Sequence, residues 1–187
     1  MTSLYIFAAV ALVAIIVIVL FNQLIAKRQM VNNGWADIDV QLKRRADLIP
    51  QLVTTVQAYA AHERGLFEEV AAKRNAALAA GADPTQRGAA ESDLAKPVGR
   101  LIALGEAYPD LKANQNFLDL QNELSDTENK IEMARRFYNG AVRELNTAVE
   151  SFPSNIVAGL FGIAKRGFFE ITAAGDRAVP TLGLNSQ

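Results

Sequence analysis

Residues 117–152 read FLDLQNELSDTENKIEMARRFYNGAVRELNTAVESF, and this stretch decides the fold. Phe117, Leu120, Leu124, Thr127, Ile131, Ala134, Tyr138, Ala141, Leu145, Ala148 and Phe152 recur at alternating steps of three and four residues. That spacing puts them on one stripe of an α-helix and cannot be drawn onto one face of a strand. At about 1.5 Å per residue the stripe runs roughly 50 Å, so the chain must supply apolar partners along a comparable length.

The first partner lies upstream. Val31, Trp35, Ile38, Leu42, Arg45, Ile49, Leu52, Val56, Tyr59, Glu63, Leu66 and Val70 keep the same 4-3 steps, the pattern of a coiled-coil-like seam. The spacing predicts one helix from about Gln29 to Ala80, closed by Gly81 with Pro84 beyond. Pro50 falls inside it and removes an amide donor; because the seam resumes in phase afterwards, a kink is expected, not an end. A second helix is expected from Pro84 or Gln86 to Gly105 through Leu94, Val98, Leu101 and Leu104, weakened in its middle by Pro97 and Gly99. Residues 106–114, with Tyr108 and Pro109, read as an ordered connector. Phe152-Pro153 ends the long third helix, and Ser154 is placed to cap a short fourth one whose apolar face carries Ile156, Val157, Leu160 and Ile163.

The N-terminus is of a different character. No charged side chain occurs from Met1 to Ala26, and residues 4–20 read LYIFAAVALVAIIVIVL. As a helix, Leu4 to Ile25 measures roughly 33 Å, enough to cross a hydrocarbon core of about 30 Å. The segment starts uncharged and exits into Lys27-Arg28, which favours an anchor over a cleaved signal. Lys27, Arg28, Lys43, Arg44 and Arg45 follow the span and no basic residue precedes it, so the bias of basic loops toward the cytoplasm predicts an outside N-terminus and a cytoplasmic bundle. The expected organisation is all-α: a transmembrane anchor over 1–26, an elongated antiparallel bundle of three long helices plus a short C-terminal helix over 27–170, and a tail over 171–187.

Composition narrows the function classes. Lys+Arg 19 against Asp+Glu 20 gives a net charge of −1, without the positive field that nucleic-acid binding draws on. There is no cysteine, which removes disulfides, thiolate metal sites and thiol catalysis. The single histidine, His62, precedes Glu63 but has no second histidine four residues on, so the zinc-protease helix motif is incomplete. No phosphate loop, nucleophile elbow or dinucleotide turn is present. No cofactor, metal or small-molecule substrate is expected, and no enzymatic activity.

Polar residues on or beside the seams need partners. Arg45 and Glu63 are 18 residues apart, about 27 Å along a helix, so they cannot meet each other. One reading pairs Arg45 with Glu128 and Glu63 with Arg135, as interhelical charge layers that set register. The other lets their charged ends reach solvent while their stems pack. The run Lys43-Arg44-Arg45 reads as lipid-headgroup contact, as a partner site, or as an ordinary solvated face.

Several strings together resemble the LemA family: WADIDVQLKRRADLIPQLV over 35–53, YAAHE over 59–63, EAYPDLKAN over 106–114, ENKI over 128–131, RRFYN over 135–139, and Asn146 ahead of Phe152-Pro153. The resemblance covers residues 1 to about 170 and implies a helical bundle held at the bacterial inner membrane by its N-terminus. It implies no defined chemistry. Its motif residues fall at architectural positions, with Trp35, Ile49, Leu52, Tyr59, Tyr108, Phe117, Ile131 and Tyr138 expected in the core and Pro50, Pro109 and Asn139 among the structural candidates. The function expected is a non-catalytic scaffold whose partners are the bilayer, further copies of the chain as a homo-oligomer, or another membrane protein. The alternative is a regulatory or signalling adaptor in which Pro50 or the weak second helix shifts between packings.

Overall fold

The computed structural model describes residues 1–171, and among them every regular element is helical. In chain order these are α1 (Thr2–Gln57), α2 (Arg64–Ala79), α3 (Pro84–Ala107), α4 (Pro109–Lys112), α5 (Gln115–Glu150) and α6 (Ser154–Leu160). They divide into two compact units, one formed by residues 1–42 and 128–168, the other by 43–127 with 169–171.

In the first unit the N-terminal part of α1 lies against the C-terminal part of α5. Lys27 Nζ meets Glu144 at 2.9 Å, and the Cβ position of Gly34 lies 3.0 Å from Phe137 Cδ1. Contacts that rise along α1 as they fall along α5 make the pair antiparallel. The seam read from the sequence is buried at Val31, Ile38, Ile131, Tyr138, Ala141 and Leu145, and Leu24, ahead of that seam, is shielded as well. Phe152 departs from it and stands 80% exposed, because α5 stops at Glu150.

The second unit is an up-down-up-down bundle. Arg74 on α2 reaches Ala46 on α1, Lys73 and Glu69 on α2 meet Asp93 and Arg100 on α3, and Tyr59 meets Asn114 just ahead of α5. Its core holds Ile49, Leu52, Val56, Val70, Leu94, Leu101, Leu111 and Phe117. Pro97 is accommodated within α3, where it is buried, and the connector over 106–114 contains the single turn α4 with Leu111 at no exposure.

The helix expected over Gln29–Ala80 is corrected at both ends. It is continuous with the apolar N-terminal segment, and it ends at Gln57, where the chain reverses through residues 58–63 and α2 folds back on α1. Amides of Tyr59 and Ala60 both bond to Val56 O, and Glu63 N bonds to Ala60 O, so the reversal is tightly turned. Ala60 is buried there while Tyr59 and Glu63 are exposed, and Phe67, one position past the expected Leu66, enters the core.

Candidate anchor, charge layer and strap

The apolar start of α1 is long enough to cross a membrane, and none of its most apolar window is buried within the protein. Residues 1–16 are exposed throughout, and the buried face begins at Leu24, just before the first charged side chain, Lys27. The same helix therefore changes character along its length: apolar all round over its first turns, then apolar on one stripe.

Pro50 sits on the exposed side of α1, and the helix runs through it to Gln57. A proline at this position removes the bond that would reach the carbonyl four residues back, on Ala46. Arg74 of α2 supplies the missing donor: its Nε bonds Ala46 O at 2.5 Å, and its guanidinium lies 3.8 Å from Asp47. The continuity of α1 is thus completed by a side chain from the next helix.

Arg45 is buried on the same helix beside a partner the sequence reading did not name. Its Nη2 lies 2.5 Å from Glu91 Oε2, and Arg87 Nε lies 3.0 Å from Glu91 Oε1, so one carboxylate joins two guanidiniums in a layer almost free of solvent. Buried ions need such pairing because desolvation is otherwise uncompensated. Arg44 points outward to Glu123 at 3.8 Å with both side chains about half exposed, an arrangement worth little. The Lys43-Arg44-Arg45 run therefore divides by helix face, one member inward and two outward.

The remaining candidates are structural. Trp35 is half-buried, with its ring 5.6 Å from that of Tyr138. Tyr59 is exposed, not core, and its hydroxyl accepts a bond from Asn114, whose own side-chain oxygen caps α5 at Phe117 N. Tyr108 is also exposed, at the start of α4 with Pro109 in the first turn. On α5, Glu128 is exposed and Arg135 and Asn139 are half-buried, each engaged with a neighbour. His62 and Glu63 lie exposed in the reversal before α2, so Glu63 occupies no seam. Among the described residues no three His, Asp or Glu side chains gather as metal ligands do.

One arrangement escaped the sequence reading. After α6 the chain turns at Gly162, whose φ of +65° suits glycine, with Ile163 N bonding Ala158 O and Gly162 N bonding Gly159 O. It then returns along α5 as a strap. Asn146 clamps the Arg166 backbone on both sides, Nδ2 to O and Oδ1 from N, each at 2.9 Å, and the Tyr138 hydroxyl donates to Gly167 O at 2.8 Å. In the second unit Phe169 is fully buried and the Glu170 backbone lies so close to Gly88 on α3 that a Cβ there would overlap it. The invisible signal was partnership at a distance: Asn146 and Tyr138 stood out as motif residues, but nothing local says which backbone they hold. Ser154, expected to cap α6, instead donates to Ala148 O and Ser151 O and ties off α5. The expected tail over 171–187 lies outside the described residues beyond Ile171.

The chain has relatives among magnetosome and LemA proteins. Magnetosome protein MamQ 2 of Paramagnetospirillum magneticum is 22% identical over 206 residues, covering 96% of this chain and 76% of that protein. Magnetosome protein MamQ of Magnetospirillum gryphiswaldense is 23% identical, covering 78% of this chain and 63% of its own length. Protein LemA of Metamycoplasma hominis is 26% identical over 137 residues, 73% of this chain and 63% of that protein. The profile described as LemA family matches residues 34–183, which leaves out the apolar segment and takes in most of the stretch set aside as a tail. With that match over most of its length, the chain belongs to the LemA family.

Proposed function

We propose that this protein is a non-catalytic, membrane-anchored interaction scaffold of the bacterial inner membrane, which self-associates through faces of its helical bundle. The observation that carries the reading is α1 itself. One helix holds an exposed apolar segment of membrane-spanning length and then, without a break, the buried stripe that packs on α5. A continuous helix transmits position from the bilayer to the packed unit, as a tether through a flexible linker would not. LemA-family membership and the apolar helix both fit a membrane protein. The basic residues that follow the span favour a cytoplasmic bundle with the N-terminus outside.

Self-association draws on exposed apolar side chains beyond the span. Met30 and Val40 on α1 and Met133 and Phe137 on α5 are all more than 40% exposed. Small residues in the span, Ala8, Ala9, Ala11 and Ala14, also allow close helix approach. An adaptor that switches at Pro50 would need that turn to open, and the Arg74 bond to Ala46 works against it; one that switches through α3 is left as the alternative reading.

The chain has no native cysteine, so a variant with two cysteines, at the exposed positions Lys43 and Arg143, reports cleanly and can link more than two copies. Crosslinking in membranes should give ladders of the protein with itself. A strict monomer would remove self-association, and one heavier adduct would point to a dedicated partner of another kind. An impermeant thiol reagent should label these sites only after lysis; labelling of intact cells would reverse the orientation.

A further inference from the structure

The short helix α6 carries its largest apolar side chains on the outside. Val157, Ala158 and Ile163 are buried, whereas Ile156 is 62% and Leu160 74% exposed, with Phe152 and Phe161 exposed beside them. The apolar residues expected on that helix thus divide between an inner and an outer side, and no charge interrupts them from Ser151 to Ala164. Its height along α1 is fixed by the Phe161 ring, whose centroid lies 4.5 Å from that of Phe21. Over the apolar part of α1 only Val17, Leu20, Phe21 and Leu24, with Ile25 beside them, lose exposure, and the first four share one face at i, i+3, i+4 and i+7. A hydrocarbon core of about 30 Å takes up about 20 helical residues, so a span that begins at Leu4 reaches Gln23. Phe21 lies inside that limit.

We infer that α6 with its flanking turns is a second membrane contact, seated in the interfacial zone of the leaflet nearest the bundle, with Phe152, Ile156 and Leu160 among the upper acyl chains. The inference rests on the anchor reading. The bilayer is the occupant because the span that α6 touches already holds this face at the membrane boundary, so no further partner has to be recruited. A seven-residue helix falls well short of the roughly 800 Å² per partner that a stable protein interface buries. The chain also leaves this uncharged zone at Lys165, which pairs with Glu150, as α1 leaves its own at Lys27, which pairs with Glu144, so that on both paths charged side chains begin only where the apolar zone ends. Lying in the interface beside a spanning helix, α6 would restrain rotation and tilt of the bundle about its anchor.

The test uses the full chain with one cysteine at Leu12, Lys43, Ile156 or Leu160, each exposed in the structure, labelled with an environment-sensitive fluorophore. The protein is reconstituted into phosphatidylcholine–phosphatidylglycerol vesicles that contain lipids spin-labelled either high or midway on the acyl chain. The labels at 156 and 160 should lose most of their emission to the high quencher, the label at 12 to the midway one, and the label at 43 to neither. Quenching at 12 with 156 and 160 as bright as 43 would overturn the inference and leave the anchor standing. Shielding of 156 and 160 from both lipid and aqueous quenchers would give the face to another protein chain and also overturn it. No quenching at 12 would remove the anchor and this contact together.

Discussion

At Ala46 a carbonyl that Pro50 leaves without its helical donor is met by Arg74, 28 residues downstream. Replacement of Arg74 by Met should therefore cost about 1–2 kcal/mol, the scale of one hydrogen bond to a charged donor plus a weak surface pair. In a Pro50→Ala background the restored amide fills the carbonyl, and the cost of Arg74→Met should shrink by about 1 kcal/mol in a denaturation double-mutant cycle. Equal costs in both backgrounds would mean that Arg74 acts only through Asp47. The neighbouring layer is less forgiving. Glu91→Ala leaves two buried guanidiniums without their shared carboxylate, and unfolding free energies should fall by about 3–5 kcal/mol. Neither Arg74 nor Glu91 was legible in the sequence, although Pro50 and Arg45 were: an anomaly shows locally, whereas its remedy lies on another helix. The pairing of Arg45 with Glu128 remains a proposal for the same kind of cycle, whereas Glu63, exposed in the reversal before α2, lies off the seam on which its pairing with Arg135 was expected.

Elements were readable in proportion to how much their own periodicity determined them. The seam of α5 carried enough turns to fix both its type and its buried face. The reversal at 58–63 was invisible because Ala58, Ala60 and Ala61 are strong helix formers and Val70 falls in phase on either reading, so tertiary packing overrode local preference. Helix α6 was placed correctly, but a face read by hydrophobicity alone does not reveal which medium covers it. The α2–α3 contact makes a titration prediction. The Lys73 hydrogen bond to Asp93, then the charges of Lys73 and Lys96, hold that carboxyl below its usual range. A carboxylate with a lowered folded pKa contributes stability that is present above its unfolded pKa and lost as pH falls through the folded one. The Asp93 carbon resonance should accordingly titrate below that of an exposed aspartate, and Lys73→Ala should move the midpoint upward. For the strap, Asn146→Ala removes both clamps on Arg166, and the Arg166 amide, whose hydrogen now bonds Asn146 Oδ1, should exchange markedly faster in native-state hydrogen exchange. Unchanged exchange would show that Phe169 and Tyr138 hold the strap without it.

For the molecule as a whole, the anchored scaffold stands or falls on whether its outward apolar residues are used by another copy. Isolated exposed apolar side chains are ordinary and need no partner, so their presence alone decides nothing. Val40 and Met133 are the useful pair, each about 60% exposed and each on a helix whose opposite face is committed to the core. Changing both to Lys removes apolar surface without opening a cavity, and the stability of the chain should stay within about 0.5 kcal/mol per site. If copies associate through Val40 and Met133, the double variant should lose the crosslinking ladder given by cysteines at 43 and 143 in membranes while keeping its helical content and its membrane fraction. If the ladder persists while both of those hold, contact between copies runs through the spans, where the small residues Ala8, Ala9, Ala11 and Ala14 lie, and bulky replacements there should abolish it instead. The two outcomes assign self-association to different solvents: in water it is driven by apolar burial, whereas in lipid, with no hydrophobic driving force between helices, it depends on close backbone approach.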